Sequence, residues 1–389
     1  MPEVDLLPVP PVPDLAALLP RLRRALDGGA PVAPHPAGAS EPTLPRHAPG
    51  ALPDDLALVV GTSGSTGTPK LAMLRAPALA ASAHATHERL GGPGQWLLAM
   101  PATHVAGIQV LLRALHVGTD PVVADMTVPF GPAPFAAAVA RLDPRARRYT
   151  ALVPTQVGRL LDDPVGADAL RSFAAVLVGG AALPPTLRAR AEAAGVALHA
   201  TYGSSETAGG CVYDGRPLSG TTVALEEDGR VRLGGATVAD GYLGRPDLTH
   251  AAFTVDRDGA RWFRTDDAGH RDEDGRLHVD GRLDDVVVTG GLKVAPRPVE
   301  EALLARVLGV REAVVVGTPD PEWGQAVSAA LVVRDRAPRP GIEDVRAALR
   351  GAVPDHALPR RVLVVPQVPL RGPGKPDRRA LSRMFEDLD

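Results

Sequence analysis

Leu56-Ala57-Leu58-Val59-Val60 runs directly into Gly61-Thr62-Ser63-Gly64-Ser65-Thr66-Gly67-Thr68-Pro69-Lys70. An apolar run of strand length that ends in a glycine-rich turn reads as a buried strand feeding a loop. Such a loop presents consecutive backbone N–H groups, and Thr62, Ser63, Ser65, Thr66 and Thr68 add hydroxyl donors, so the stretch reads as a phosphate cradle. It is not a Walker A loop, in which the lysine follows the second glycine directly, because Lys70 closes this element only after Thr68-Pro69. Lys70, Lys293 and Lys375 are the only lysines among 42 lysines and arginines, and each lies in or beside a glycine-rich stretch. A compact ammonium serves a phosphate oxygen in a tight backbone cradle where a planar guanidinium does not fit.

Outward from this loop, apolar runs alternate with amphipathic stretches. Leu56–Val60, Trp96–Met100, Pro121–Ala124, Tyr149–Val153, Ala174–Val178 and Ala197–Tyr202 read as buried strands, with helices at 105–116, 154–162 and 184–194 between them. Buried strands alternating with helices predict an α/β layer with a mainly parallel sheet. A short helix is predicted at 14–27, followed by an irregular connector at 31–55 that is rich in proline and glycine. Residues 208–283 change character: the Asp228-Gly229, Asp258-Gly259 and Asp274-Gly275 turns predict a β-rich subdomain of hairpins. Beyond Asp284 the pattern is α+β, with helices near 298–308 and 342–350 and strands near 312–317, 326–333 and 361–365. The expected division is a large domain over 1–283 (core 56–207, β-rich part 208–283) and a small one over 284–389.

Composition narrows the class. Hydrophobic content of 45% and charged content of 22% in 389 residues are those of a globular protein with a real core. A net charge of −3 gives no basic footprint for nucleic acid. No apolar run approaches the ~18 residues of a membrane span, and the proline-broken start is not a signal peptide. Cys211 is the only cysteine, so no intrachain disulfide forms, and a reducing, cytoplasmic setting is expected. Cys211 is expected to be buried and chemically idle, and no Gly-x-Ser-x-Gly nucleophile elbow is present.

Three further elements carry chemistry. Tyr202-Gly203-Ser204-Ser205-Glu206-Thr207 follows a buried strand. Its aromatic ring offers a stacking face for a base, and its carboxylate a hard oxygen for Mg²⁺ held by phosphates. In Arg264-Thr265-Asp266-Asp267 a carboxylate is placed to accept two ribose hydroxyls, and Gly281-Arg282-Leu283-Asp284-Asp285 opens the C-terminal part.

Thr62–Lys70, Tyr202–Thr207, Thr265–Asp267, Gly281–Asp285 and Lys375, in that order, resemble the core motifs of the adenylate-forming superfamily of acyl- and aryl-CoA synthetases, peptide-synthetase adenylation domains and luciferases. The resemblance spans roughly 56–380. It implies an N-terminal domain with a small mobile lid that turns about a hinge at Asp284, and ATP, Mg²⁺ and CoA as reactants. It implies nucleotide contacts from Thr62, Ser63, Gly64, Ser65, Thr66, Gly67, Lys70, Gly180, Tyr202, Gly203, Thr207, Asp267 and Arg282. Lys375, His104 and Glu206 are the implied catalytic residues, with Glu206 also on the metal. His104, Arg113, Gly179 and Ser204 are the implied acid contacts. One departure is visible, since Asp266 stands where the family commonly has glycine.

Such chemistry needs no protein nucleophile. A substrate carboxylate is already ionised, so attack on the α-phosphate of ATP requires positioning and neutralised charge. Pro101-Ala102-Thr103-His104-Val105-Ala106-Gly107, Arg113 and Ser205–Gly215 resemble the o-succinylbenzoyl-CoA synthetases of menaquinone biosynthesis, as does the short chain. That acid has two carboxylates, and Arg113 is expected to meet the spare one. Helical spacing is expected to set Arg113 near the face of His104, the alternative being a solvated helix arginine. Gly179-Gly180 and Gly209-Gly210 are expected to leave room for an aromatic ring. Alternatives of the same chemistry are another aryl- or acyl-CoA ligase or an adenylation enzyme loading a carrier protein. A luciferase-like oxidation and a non-catalytic nucleotide-binding protein are the more distant ones. The partners expected are small molecules (an aromatic carboxylic acid, ATP and CoA), without nucleic acid or membrane insertion, and a homodimer is an assembly the sequence admits.

Overall fold

The structure is a computed structural model that describes residues 4–45, 52–62, 70–334, 337–370 and 376–387. Ser63, Gly64, Ser65, Thr66 and Gly67 of the first loop, and Lys375, lie outside the described residues. The chain forms two compact units, one within Met1–Leu183, Arg188–Ala224 and Arg232–Thr265, the other within Pro184–Leu187, Leu225–Val231 and Asp266–Asp389.

The first unit begins with β1 (Asp5–Val9), α1 (Leu15–Leu26), β2 (Val32–Pro36), β3 (Leu56–Thr62) and β4 (Lys70–Arg75). The expected connector over 31–55 is therefore corrected at Val32–Pro36: β2 pairs in parallel with β1 along its whole length, from Asp5↔Val32 to Val9↔Pro36. Prolines remove ladder donors, and their parity explains why they are tolerated here. The Ala37 N–H donates to Val9 O, so the odd-numbered residues of β2 face β1. Pro34 and Pro36 lack their donors on the other side, where pairing with β3 is confined to Val32↔Leu58. Pro8, of the opposite parity to Asp5 and Val9, lacks its donor on the free edge.

Next come α2 (Ala76–Arg89), β5 (Gln95–Leu98), α3 (Val105–Val117), β6 (Val122–Val123), α4 (Pro132–Val139), β7 (Arg148–Leu152), α5 (Pro154–Leu161), α6 (Pro164–Arg171), β8 (Ala175–Val178), α7 (Pro185–Ala193), β9 (Leu198–Ser204), β10 (Gly209–Tyr213) and β11 (Arg216–Pro217). The seven-stranded sheet runs β11-β10-β9-β8-β7-β5-β6. It is parallel from β9 to β6, with antiparallel β10 and β11 at one edge. β5 and β8 are nearly continuous apolar runs, as strands covered on both faces are. Trp96 and Tyr149 are fully buried, and their rings lie 5.1 Å apart at the centre of the core.

Hairpins follow, with β12 (Thr221–Leu225), β13 (Arg230–Gly235), β14 (Gly241–Tyr242), α8 (Pro246–Ala252), β15 (Phe253–Val255), β16 (Arg261–Arg271) and β17 (Leu277–Arg282). The three Asp-Gly turns form as expected, with Gly229, Gly259 and Gly275 in the left-handed region at φ 82°, 83° and 74°. β14 returns to pair with β4 and so closes the first sheet.

The second unit contains β18 (Val287–Thr289), β19 (Leu292–Val294), α9 (Pro296–Arg306), β20 (Val310–Asp320), β21 (Gly324–Val333), α10 (Ile342–Leu349), β22 (Arg361–Val364) and α11 (Arg378–Glu386). The sheet order is β19-β18-β21-β20, with β22 parallel to β21. Side chains of β20 alternate between two cores. Val315 packs with Val299 and Leu303 of α9, whereas Val314 and Val316 pack with Leu381 and Phe385 of α11. Among the described residues no helix is long and apolar enough to cross a membrane.

Candidate active site

The parallel strands of the first unit deliver their carboxyl ends to one edge, where open α/β sheets bind ligands. β8 ends at Gly179-Gly180, β9 runs into Ser204–Thr207, and β5 leads to the N-terminus of α3 at His104. A Cβ at Gly203 would come within 2.2 Å of Gly209 O, so glycine is required for β9 and β10 to close there. The space expected beside Gly179 and Gly210 is not open. A Cβ at either position would meet Thr201, at 2.4 Å from its Oγ1 for Gly179 and 3.0 Å from its Cβ for Gly210. Gly180 is exposed and adopts φ 79°, a left-handed turn conformation that favours glycine.

A short 3₁₀ turn, Ser205–Thr207, follows β9. The Thr207 hydroxyl accepts from the Ser204 N–H at 3.0 Å and donates to Gly209 O at 2.8 Å, which fastens the turn at both ends. The Ser205 hydroxyl donates to Gly61 O at 3.1 Å, so the two glycine-containing motifs, far apart in sequence, meet at the end of β3. Glu206 is 6% exposed. Its Oε1 accepts from the Tyr242 hydroxyl at 2.8 Å, and the Lys70 ammonium stands 5.2 Å from the centre of the Tyr242 ring. The Ala239 N–H donates to Glu206 O at 2.8 Å. That second bond reaches the backbone carbonyl and holds the turn, whereas the Tyr242 hydroxyl serves the carboxylate, whose burial without a donor is costly. Ser204 Oγ is buried without a hydrogen-bond partner among the described residues, which leaves a polar atom for a ligand.

The expectation that His104 and Arg113 share a face is corrected. Nine residues are two and a half turns of helix, which is a half-turn in phase, so the two side chains leave opposite faces. His104 is the exposed N-cap of α3, whereas Arg113 is 3% exposed. Nor is Arg113 a solvated helix arginine. It donates to the Tyr213 hydroxyl at 3.3 Å and lies 5.2 Å from the Trp96 ring centre. Tyr213 is in turn bonded to the Thr86 hydroxyl at 3.1 Å. Close by, the Trp96 indole N–H donates to His87 Nε2 at 3.1 Å. Burial, then the charge of Arg113 and the neighbouring His116, lower the His87 pKa to about 4. Cys211, expected to be idle, is buried, and burial pushes its thiol up to about 12.

At the ends of β5, β6 and β7 lies a cavity of about 200 Å³, walled by Ala99, Pro101, Met126, Val128, Phe130 and Phe135, with Asp125 and Gln156 at its polar points. Gln156 is already engaged, accepting from the Val153 N–H and donating to Ala99 O. Arg113 and His104 do not line this cavity.

In the second unit Asp267 stands opposite Arg282 in the β16–β17 register. Arg282 donates to Asp284 at 2.7 Å and to Asp266 at 3.3 Å, and Asp266 also accepts from Arg230 at 3.3 Å. Burial lowers the Arg282 pKa, but Asp284, Asp267 and Asp266 outweigh it and hold the guanidinium above its ordinary value. Asp266, where the family's glycine is expected, thus links two arginines. Lys293 is exposed on β19.

Residues 11–243 match the AMP-binding enzyme family, and residues 299–375 match the AMP-binding enzyme C-terminal domain. The chain belongs to the AMP-binding enzyme family. A relative in Mycobacterium tuberculosis (strain ATCC 25618 / H37Rv), named a probable 2-succinylbenzoate–CoA ligase, is 44% identical over 387 residues, covering 97% of this chain and 98% of the relative. The o-succinylbenzoate CoA synthetase of Bacillus subtilis, solved in complex with the acyl-adenylate intermediate OSB-AMP, superposes with a TM-score of 0.72 at 25% identity, covering 84% of this chain and 69% of that one. The ATP-bound MatB of Rhodopseudomonas palustris gives a TM-score of 0.75 at 28% identity, over 90% and 72% of the two chains.

Within this AMP-binding enzyme the structure joins Thr62, Lys70, Ser204, Glu206 and Thr207 around the ends of β3 and β9, with Tyr202 half-buried on β9 itself. Tyr242, which links Lys70 to Glu206, was missed by sequence reasoning. The one signal for it is its aromatic ring in Gly241-Tyr242, a two-residue strand too short to show alternation.

Proposed function

We propose that this AMP-binding enzyme joins o-succinylbenzoate to CoA through an acyl-adenylate. The substrate carboxylate attacks the α-phosphorus of ATP and pyrophosphate leaves. The CoA thiol, giving up its proton, then attacks the acyl carbon and AMP leaves. The observation that carries the choice of acid is the 44% identity with the M. tuberculosis relative, which runs over nearly the full length of both chains. The chemistry finds support in the linked Lys70, Tyr242 and Glu206 beside the end of β3.

The roles follow from these positions. The backbone and hydroxyls of the 62–70 loop and Lys70 receive the phosphates, Ser204 and Gly179-Gly180 lie where the adenylate meets the acid, and Asp267 receives the ribose. Thr207 acts on the turn that presents Glu206. Mg²⁺ fits this donor set: Glu206 offers a buried carboxylate, a hard oxygen donor, and a phosphate-held Mg²⁺ needs only one or two carboxylates. Glu206 would hold it, and bound there it would neutralise phosphate charge. Lys375 is assigned to the adenylation step, Asp284 to a hinge between 1–283 and 284–389, and His104 to the acid's entrance at the start of α3. The apolar cavity at the ends of β5, β6 and β7 suits a flat ring better than a charged group. A cytoplasmic setting agrees with the single buried cysteine.

The test is CoA-ester formation, followed by mass spectrometry, with ATP, Mg²⁺, CoA and o-succinylbenzoate against a panel of benzoates and fatty acids. Selective o-succinylbenzoyl-CoA formation is the expected result. Turnover of another acid instead would keep the ligase chemistry and discard the substrate.

A further inference from the structure

Arg378 is the first residue of α11, and its partly buried guanidinium is held by groups from three other elements of the second unit. Nε pairs with Asp285 Oδ2 at 3.0 Å, in the turn that follows β17. Nη1 pairs with Glu300 Oε1 of α9 at 2.7 Å and also donates to Val315 O of β20. The same Glu300 oxygen accepts from the Val315 N–H at 2.8 Å, so one carboxylate oxygen ties helix, strand and arginine together. Burial would favour loss of the arginine's proton, but the charges of Glu300 and Asp285 outweigh it and raise its pKa.

The chain just before α11 is held equally firmly. Leu370 and Pro376 form an antiparallel bridge, and the Asp377 N–H donates to Pro369 O at 2.8 Å. The Asp377 carboxylate then caps α11 by accepting from the Ala380 N–H at 3.0 Å. Residues 370 and 376 are thus pinned beside each other, and Arg378 anchors that base to Asp285, next to Asp284. Fastening α11 to α9 and β20 needs only Glu300, Val315 and the apolar contacts of Leu381 and Phe385. The pair with Asp285 adds a connection to one specific turn.

We propose that Arg378 is a positioning residue for the adenylation step: it fixes the base from which the segment carrying Lys375 departs against the Asp284-Asp285 turn. This rests on the roles given above to Lys375 and Asp284, and on described residues alone for its geometry. A misplaced ammonium weakens a step that depends on charge positioned at the phosphorus. It leaves attack by the CoA thiol on a ready-made adenylate untouched, because that step does not use Lys375.

The test uses the full-length enzyme and two assays, pyrophosphate release from ATP and o-succinylbenzoate without CoA, and thioester formation from supplied o-succinylbenzoyl-adenylate and CoA. Arg378→Ala is expected to slow the first by about tenfold to a hundredfold, the scale on which small misplacements act, with the second within about twofold. Arg378→Lys, which keeps the charge, should recover part of the first rate, and Asp285→Asn should lower it in the same direction. Equal losses in both assays, in proportion to the folded fraction, would make Arg378 a purely structural residue and overturn the proposal. Should Arg378→Ala not fold, the ratio of the two rates in Asp285→Asn decides. Lys375→Ala separates the two levels: if it releases pyrophosphate normally, the functional reading itself fails, whereas its loss together with a normal Arg378→Ala rejects only the positioning role.

Discussion

The Tyr242 hydroxyl donates to Glu206 Oε1 at 2.8 Å, and both groups are buried. The ring of the same tyrosine lies under the Lys70 ammonium, so one side chain orders the proposed metal carboxylate and a proposed phosphate lysine together. Tyr242→Phe keeps the ring and removes only the donor. The expected result is a loss of about 1–3 kcal/mol of stability, the cost of leaving a buried acceptor unmade, with a fall in kcat/KM for ATP. Urea unfolding and initial rates at varied ATP measure both, and an unchanged protein would show that Glu206 does not depend on Tyr242.

Among the described residues, buried Arg113 meets the neutral groups Tyr213 and Trp96, and its Nε has no hydrogen-bond partner. A buried charge without an opposite charge beside it carries an uncompensated desolvation cost, which an apolar side chain of similar size removes. Arg113→Met is therefore expected to unfold at a urea concentration near that of the parent, and to leave KM for o-succinylbenzoate within about twofold. A selective rise in that KM would return Arg113 to the substrate.

His87 is 5% exposed and has a pKa lowered to about 4, through burial first and then the charge of Arg113. The unfolded chain takes up this proton near the ordinary value of ~6.5, so between those values the unfolded state binds more protons. The contribution is complete above pH ~6.5 and is lost as pH falls through about 4, amounting to roughly 3 kcal/mol. Urea midpoints measured from pH 7.5 to 4.5 should fall. The decline should be shallower in His87→Leu, and an identical decline in both proteins would exclude His87 as its source.

Burial pushes the Cys211 thiol up to about 12, so the reactive thiolate is scarce at neutral pH. Alkylation by iodoacetamide, followed by intact mass, should proceed only in denaturant. Rapid modification of the folded enzyme would contradict the packing of β10.

The Asp266 carboxylate bridges Arg230 and Arg282, but these pairs are partly exposed, at 52% for Asp266 and 40% for Arg282. Asp266→Gly should therefore cost no more than about 1 kcal/mol, a loss that shrinks in high salt. A larger loss, unmoved by salt, would mean that the side chain packs rather than pairs.

The parallel layer was legible because buried strands are short apolar runs closed by turn residues, and β3, β5, β7, β8 and β9 all announce themselves that way. The strand at Val32–Pro36 did not, because its two prolines mimic a loop unless the side on which their missing donors fall is known. The Gly179-Gly180 turn was visible, but not the neighbour that fills the space beside Gly179.

Sequence by itself determined the buried strand that ends at Thr62, the Glu206 turn, the Asp-Gly hairpins and the membership of an adenylate-forming family. Each is a local order of residue types, and local backbone chemistry is written along the chain. Tertiary structure alone decided that Tyr242 would join Lys70 to Glu206, and that Arg378 would close on Asp285 and Glu300. It also decided that Arg113 would be buried under Trp96 and Tyr213. A helix or strand period says which side chains share a face, but what covers that face comes from chain segments distant in sequence.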